Sequence, residues 1–436
     1  MAVSSPALGE ALADAVGREH LLSASAALAR HAVDGLTPRW VARPESAAGV
    51  SRLLTLACGE GLAVAPRGSG SSLALGNPPR RLDVVLDLTR LSAVTDYVPE
   101  DMVASVEAGV PLATLAGRLA ERGQMLALDP IGGSSRTIGG ILAGNASGPL
   151  RTRYGTGRDL LLGVRFVQAD GTITWGGAKV VKSVTGYDVP KLMVGALGTL
   201  GVIVGVTVRL HPLPPASGSW LIALRAGEAA ESFLAALGDS TLEPDRVVLL
   251  NAGARHACGH QSQERAVLVS VGSVEEAVQS QGAALVRLAR AHGAEIQSVS
   301  SSIWGTLGEA LAGHIMLKLH CEPKRLVFWL AELERLTARL GLLASVVAQG
   351  TNGCLQSTLE GQVSRIALRE DLLRPLREGL TPEGGSLVVE RAPIGLKVDL
   401  DVWGPISPES QAIMTRVKRQ FDPDGILNPG RFVGGL

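Results

Sequence analysis

The chain has 436 residues, 41 Lys and Arg against 41 Asp and Glu, and 46% hydrophobic residues. That length suggests two or three domains, and zero net charge without a Lys/Arg block removes the electrostatic footprint of a nucleic-acid or acidic-membrane binder. The 53 glycines are more informative, because average usage of about 7% would give roughly thirty.

Cys58, Cys258, Cys321 and Cys354 lie far apart with no C-x-x-C pair, so no disulfide framework, iron–sulfur site or structural zinc is readable and a reducing, cytoplasmic compartment fits best. The N-terminus has no basic n-region and is acidic by Glu10, so it does not read as a secretory signal. The uncharged run Leu192 to Val208 has the length of a short membrane span. It is interrupted by Gly195, Gly198, Gly201 and Gly205 and flanked by Pro190 and His211-Pro212, so a short helix followed by a buried strand is expected.

In chain order, Pro44 opens a helix whose apolar residues Val50, Leu53, Leu54 and Ala57 follow i, i+3, i+4, i+7, and Gly59 and Gly61 end it. A strand Leu62 to Pro66 runs into the glycine-serine loop Arg67 to Leu73. Strands Asp83 to Leu88 and Met102 to Glu107 follow, then a helix between Pro111 and Gly123. Residues 132 to 157 form a second loop with eight glycines, long enough to be suspected of binding something. Leu160 to Trp175 reads as a hairpin, with Asp170-Gly171 supplying the pair that a type I′ turn favours.

After His211 to Pro215 the glycine density falls, and strand-like runs such as AVLVSV and HIMLKL alternate with helical ones. This divides the chain into an N-terminal helical segment (1–37), a glycine-rich domain (38–215), a second α+β domain (216–395) and a C-terminal segment (396–436). The last opens with a helix capped by Ser407 with Pro408 at N1 and closes on the tail FDPDGILNPGRF.

Successive Gly and Ser residues let backbone N–H groups converge on one phosphate oxygen, a nest that needs no side-chain charge. Two such loops in one domain point to a pyrophosphate cofactor. Gly68 to Leu73 nearly spells the Rossmann fingerprint, but Leu73 replaces the third glycine and Asn77-Pro78-Pro79 prevents the helix that should follow.

The residues Pro66, Arg67, Gly68, Ser69, Gly70, Ser71 and Ser72, then Leu86 to Leu91, Val106 to Val110, Asp129-Pro130, Thr137 to Gly140, Asn145 to Gly148 and Tyr154 to Asp159 occur in an order that resembles the FAD-binding domain of the vanillyl-alcohol oxidase and p-cresol methylhydroxylase flavoproteins. Within that group, Lys182 to Asp188, Leu192 to Ile203 and the tail Phe421 to Arg431 resemble the D-2-hydroxyacid dehydrogenases and glycolate oxidase subunits. The short second domain and the block Gly385 to Pro393 are most similar to the E-type FAD-binding subunit of the bacterial glycolate oxidase complex.

The resemblance implies an α+β fold: a two-part FAD-binding domain with a smaller α+β cap domain built on an antiparallel sheet. It places the FAD pyrophosphate on Arg67 to Ser72, and the ribityl chain and isoalloxazine edge under Thr137, Gly139, Gly140, Asn145 and Gly148. Asp129, Pro130 and Tyr154 join this set, Val202 and Ile203 lie near the adenine half, and Asn428 to Arg431 close over the flavin. Neither loop holds a His or Cys for covalent tethering, so FAD is expected to bind non-covalently.

Oxidising a 2-hydroxy acid on a flavin requires a hydride acceptor, a base for the hydroxyl proton and a cation for the carboxylate. Arginine suits the carboxylate because its planar fork binds two oxygens; the candidates are Arg151, Arg153 and Arg391. For the base, His320 is the best histidine, with Lys318 and Lys397 as the other choices. Active relatives carry a His-x-Gly-Asp-Gly-Asn-x-His metal motif in the second domain; this chain lacks it, so no metal is expected.

Three readings follow. The first is an FAD-binding subunit of a glycolate oxidase type complex, paired with a second flavoprotein and an iron–sulfur subunit and reaching the inner membrane face only through them. The second is a stand-alone FAD-dependent alcohol oxidase or dehydrogenase; the third is a flavin-containing assembly subunit without substrate chemistry.

Overall fold

The computed structural model describes residues 5–178, 186–224, 227–260, 264–311 and 313–436. The stretch Lys182 to Thr185, part of the resemblance above, lies outside them. The described residues form four sheets.

The first sheet orders its strands Leu21–Leu22, Trp40–Ala42, Val84–Asp87, Val64–Arg67, and the last three are parallel. Parallel neighbours need a crossover, and the helix Ala47–Gly59 provides it, burying Val50, Leu53, Leu54 and Ala57 against the sheet. It starts after Pro44, because the Ser46 side chain accepts from the Gly49 amide and so caps the first turn.

The second sheet is antiparallel, with strands Val94–Val98, Val103–Glu107, Val202–Arg209, Leu161–Val167 and Ile173–Gly177 in that order. A two-stranded pair, His211–Pro212 with Gln124–Met125, stands beside it. The turn closing the 161–177 hairpin differs from the type I′ expectation. Gly171 N–H donates to Gln168 O and only Gly171 of the pair has positive φ, +89°. A longer loop with one left-handed glycine fits here because Gly171 packs on the crossover helix, where Ser51 Oγ donates to its carbonyl. A Cβ at 171 would lie 2.0 Å from Thr55 Oγ1.

The 132–157 stretch is more regular than a loop. It contains the short helix Ile138–Ala143, capped by Thr137, and the single turn Arg151–Tyr154; the turn Gly157–Leu160 begins at its end. Ile138, Ile141 and Leu142 bury into the core of the second sheet, which supplies the order that Gly and Ser content alone would not. The expected helix-then-strand reading of 192–208 corresponds to the helix Val189–Met193 and the strand Val202–Arg209. No helix among the described residues is long and apolar enough to cross a membrane.

Residues 216–391 build an eight-stranded sheet, paired antiparallel throughout, with helices such as Glu275–Ala291 and Leu326–Arg339 on one face. Strand periodicity sorts its side chains: Ile315, Leu317 and Leu319 enter the helix-covered core, leaving Met316, Lys318 and His320 on the opposite face. That opposite face meets the first domain, since Ile131 packs among Leu221, Val248, Leu250 and Leu268. The architecture is therefore α+β, a two-part glycine-rich domain with an antiparallel-sheet cap.

The C-terminal segment returns to the first domain. Leu427 bridges Val64 in parallel, with Val64 N–H donating to Ile426 O and Asn428 N–H to Val64 O. Lys418 and Asp422, one helical turn apart, hold the tail in place. The ammonium donates to Asp422 Oδ2 and to the carbonyls of Thr199 and Leu427, and the carboxylate accepts from the amides of Ile426 and Leu427.

Candidate active site

A cleft of about 760 Å³ opens in the first domain, lined by Pro66 to Leu73, Thr137, Gly139, Gly140, Gly144, Leu197, Gly198, Ile203, Asn428 and Arg431. Its floor is an amide nest: among the described residues no acceptor takes the backbone N–H of Gly68, Ser69, Gly70, Ser71 or Ser72. The chain turns there with Gly70 at φ +85°, and no helix follows the loop. The two glycine loops meet closely, because a Cβ on Gly68 would lie 2.0 Å from Thr137 Oγ1. Gly68 is thus required by the opposing loop, beyond any need of a ligand.

Three further polar atoms in this cleft are buried without a partner: Arg67 Nε, Asn428 Oδ1 and Arg431 Nη1. Buried polar atoms are ordinarily paired, so the unpaired donors of Arg67 and Arg431 beside a nest, with Asn428 Oδ1 as an unpaired acceptor, mark a site built for an anionic ligand that also carries an N–H or O–H. The tail residues are fixed independently of it. Asn428 takes φ +44° and donates to Leu197 O at 2.6 Å, and Arg431 Nη2 donates to the carbonyls of Leu73 and Leu75. Burial lowers the Arg431 guanidinium to about 10, still charged at neutral pH. A dinucleotide pyrophosphate fits this donor set, and the apolar walls Leu73, Leu88, Leu197 and Ile203 suit an aromatic ring system.

The cleft continues into a second chamber of about 780 Å³ at the domain junction, sharing Ser71, Ser72, Leu75 and Gly144 with the first. Its titratable lining is Arg136, Lys318, Glu390 and Arg391. Arg136 donates to Ser72 Oγ and Ile131 O, and its Nε is buried without a partner. Burial pulls its guanidinium below the ordinary arginine range. Arg391 Nη2 donates to Ser71 O at 3.1 Å, tying the cap to the nest loop, and Lys318 Nζ lies 3.7 Å from Glu390 Oε1.

Glu390 and Arg391 are consecutive in a strand, yet both line this chamber. The strand Ser386–Arg391 is bulged: Leu317 pairs with Val389 and Met316 with Arg391, leaving Glu390 unopposed. A bulge re-aims side chains in this way.

Of the sequence candidates, the structure brings together in the first cleft Pro66 to Ser72, Thr137, Gly139, Gly140, Ile203, Asn428 and Arg431, and in the second Lys318 and Arg391. The others sit elsewhere. Asp129, half-buried, pairs with Arg246 of the cap at 2.9 Å and accepts from Leu150 N–H. Burial lifts its carboxyl to about 6. Gly148 packs on that residue, where a Cβ would lie 1.8 Å from Asp129 O. Asn145 takes φ +46° at the turn after Ala143. Pro130 does not line either chamber; Tyr154 stacks on His211 at 4.8 Å, and Val202 is in the core behind the strand face that carries Ile203.

Arg153 pairs with Glu243 and Asp245. Lys397 is buried on Asp34 at 2.7 Å and Ala74 O at 2.8 Å, which pairs its charge and ties the start of the C-terminal segment to the N-terminal segment and the first domain. His320 shares the strand face of Lys318 but does not line the chamber, and burial near Lys318 and Arg151 lowers its imidazole to about 4. Arg136 and Glu390 were not singled out from sequence. The signal available for Arg136 was its position inside the second glycine loop; none was available for the bulge. Among the described residues, no three His, Cys, Asp or Glu side chains group as a metal site.

Comparison with known proteins agrees with this geometry. Residues 38–177 match the FAD binding domain family, and residues 405–432 match the C-terminal domain of FAD linked oxidases. The chain is 28% identical over 433 residues to a D-2-hydroxyglutarate dehydrogenase of Xanthomonas citri pv. viticola, covering 91% of this chain and 90% of that one. It is 33% identical over 179 residues to glycolate oxidase subunit GlcE of Escherichia coli, covering 41% of this chain and 49% of that one. The fold superposes on p-cresol methylhydroxylase with a TM-score of 0.77 at 15% identity, covering 98% of this chain and 97% of the other. The nest and the unpaired polar atoms lie within the matched regions, so the chain carries an FAD binding domain and the C-terminal domain of FAD linked oxidases, on a fold like that of p-cresol methylhydroxylase.

Proposed function

We propose that the chain oxidises a 2-hydroxy acid to the 2-oxo acid, glycolate or a related D-2-hydroxy acid being the substrate class. The observation that carries this reading is the second chamber, which adjoins the FAD cradle and presents three cations against one carboxylate. When bound, FAD supplies the hydride acceptor. Gly68 to Ser72 would hold its pyrophosphate through backbone amides, Arg431 Nη1 would donate to the cofactor, and Asn428 Oδ1 would accept from one of its N–H or O–H groups. Among the described residues no His or Cys lines the cradle, which supports non-covalent attachment.

Arg136 and Arg391 stand where a carboxylate would sit beside the nest loop. Both are anchored on that loop through Ser72 and Ser71, so their forks are preorganised and little side-chain entropy remains to be lost on binding. The cap sheet closes the chamber from the opposite side and limits the access of water. The likeness to glycolate oxidase subunits supports membership of a multi-subunit complex in which a second flavoprotein and an iron–sulfur subunit carry electrons onward, with the membrane reached through those partners.

Anaerobic addition of glycolate or D-lactate to the FAD-loaded chain tests the reading. Bleaching of the flavin absorbance supports it. A spectrum that stays unchanged, alone and with co-purifying partners, overturns it in favour of an assembly role.

A further inference from the structure

We propose that Glu390 is the catalytic residue that takes the proton from the substrate hydroxyl, an assignment that rests on the reaction proposed above. Glu390 is the carboxylate among the described residues lining the substrate chamber. Alternation from the buried Leu387 and Val389 puts it on the chamber face, and the bulge brings Arg391 onto that same face opposite Met316. Its other neighbours are donors: Lys318 Nζ at 3.7 Å, with Arg136 and Arg391 on the chamber wall. Those cations cannot accept a proton from an alcohol while charged, whereas a carboxylate is acceptor-only. His320 points from the same strand but does not line the chamber.

The step balances. With FAD bound, the substrate C–H bond would break and its hydride, with both electrons, would go to the flavin as the oxidant. The O–H bond breaks and its proton passes to a Glu390 oxygen, the C–O bond becomes C=O, and the proton later leaves to solvent. No strong base is needed, because as the hydride departs the hydroxyl becomes the strongly acidic OH of a protonated carbonyl. Lys318 is a positioning residue here, holding the carboxylate over the chamber while leaving one oxygen for the substrate.

The test compares FAD-loaded wild type with E390Q and E390D in anaerobic flavin reduction by the acid that reduces wild type. Binding of oxalate, an unreactive dianion, is read separately from the shift it causes in the flavin spectrum. E390Q is expected to reduce its flavin about 100-fold or more slowly, with oxalate affinity within about threefold of wild type and E390D between the two in rate. An E390Q rate within tenfold of wild type overturns the assignment, as does a rate loss matched by an equal loss of oxalate binding. If E390Q fails to hold FAD, E390D decides alone: a slowed rate with oxalate binding kept supports the assignment, and an unchanged rate overturns it. A wild-type flavin that no 2-hydroxy acid reduces removes the proposed function and this assignment together, an outcome distinct from loss of the assignment alone.

Discussion

At Gly140 the backbone lines the FAD cleft from within the helix Ile138–Ala143, and a Cβ there would meet only Thr137 Oγ1, at 3.0 Å. A β-branched side chain in a helix costs less than about 1 kcal/mol in propensity. Gly140→Val should therefore fold yet lose at least tenfold in FAD affinity, read from the ratio of flavin to protein absorbance after dialysis; full flavin content would place the cofactor elsewhere. Gly68→Val is a poorer probe, because its Cβ runs into Thr137 whatever is bound. Sequence pattern marked both glycines, but only contact between the loops separates a glycine needed for packing from one needed by the ligand.

His320 shows the same division in reverse. The sequence offered it as a base, while the structure gives it a depressed value, about 4 against an ordinary 6.5, with burial as the largest cause. A buried neutral histidine that charges on unfolding contributes stability above pH 6.5, and that contribution is lost as pH falls through about 4. The difference amounts to about 3 kcal/mol. His320→Gln should accordingly lose less stability than wild type between pH 7 and pH 4, measured by denaturant unfolding at each pH. Parallel pH dependences would show that the imidazole is not buried in this way.

Among elements, the C-terminal tail decides whether the cradle is closed. Its FDPDGILNPGR pattern was legible as a motif, and the structure supplies the reason for its first acid. Asp422 accepts from Lys418 and two tail amides, which fixes the turn presenting Asn428 and Arg431. Replacing one member of a buried pair strands the other, at a cost of about 3–5 kcal/mol. Asp422→Asn should lower stability by that order and weaken FAD retention, since two cradle residues lose their support. Calorimetry and flavin content check it together, and a destabilised variant with unaltered FAD affinity would separate the tail from the site.

The bulge in the strand Ser386–Arg391 is the contrasting case, an element invisible to sequence reading. Alternation predicts Glu390 and Arg391 on opposite faces, and only pairing with the strand Ile315–His320 reveals the unopposed residue. The short helices of the second glycine loop were hidden similarly. Their order comes from burying Ile138, Ile141 and Leu142 in a core assembled from distant strands.

For the whole molecule, the active site is a product of two domains meeting. The cofactor half was legible because its residues are local, with five consecutive amides in one loop and a glycine-rich second loop supplying most of the rest. The substrate half was legible only in Lys318 and Arg391, because Arg136 and Glu390 join them from segments that converge only when the cap sheet docks through Ile131. Charge neutrality over the chain likewise concealed a chamber with a local excess of cations.

In the proposed reaction this chamber would hold a 2-hydroxy acid so that its hydride goes to the flavin beside it. Anaerobic mixing of FAD-loaded protein with glycolate or D-lactate, with the flavin spectrum and the 2-oxo acid followed together, tests it most directly. The account predicts bleaching with one 2-oxo acid formed per flavin reduced. A flavin that stays oxidised, alone and with any co-purifying proteins added, with no 2-oxo acid formed, would contradict it.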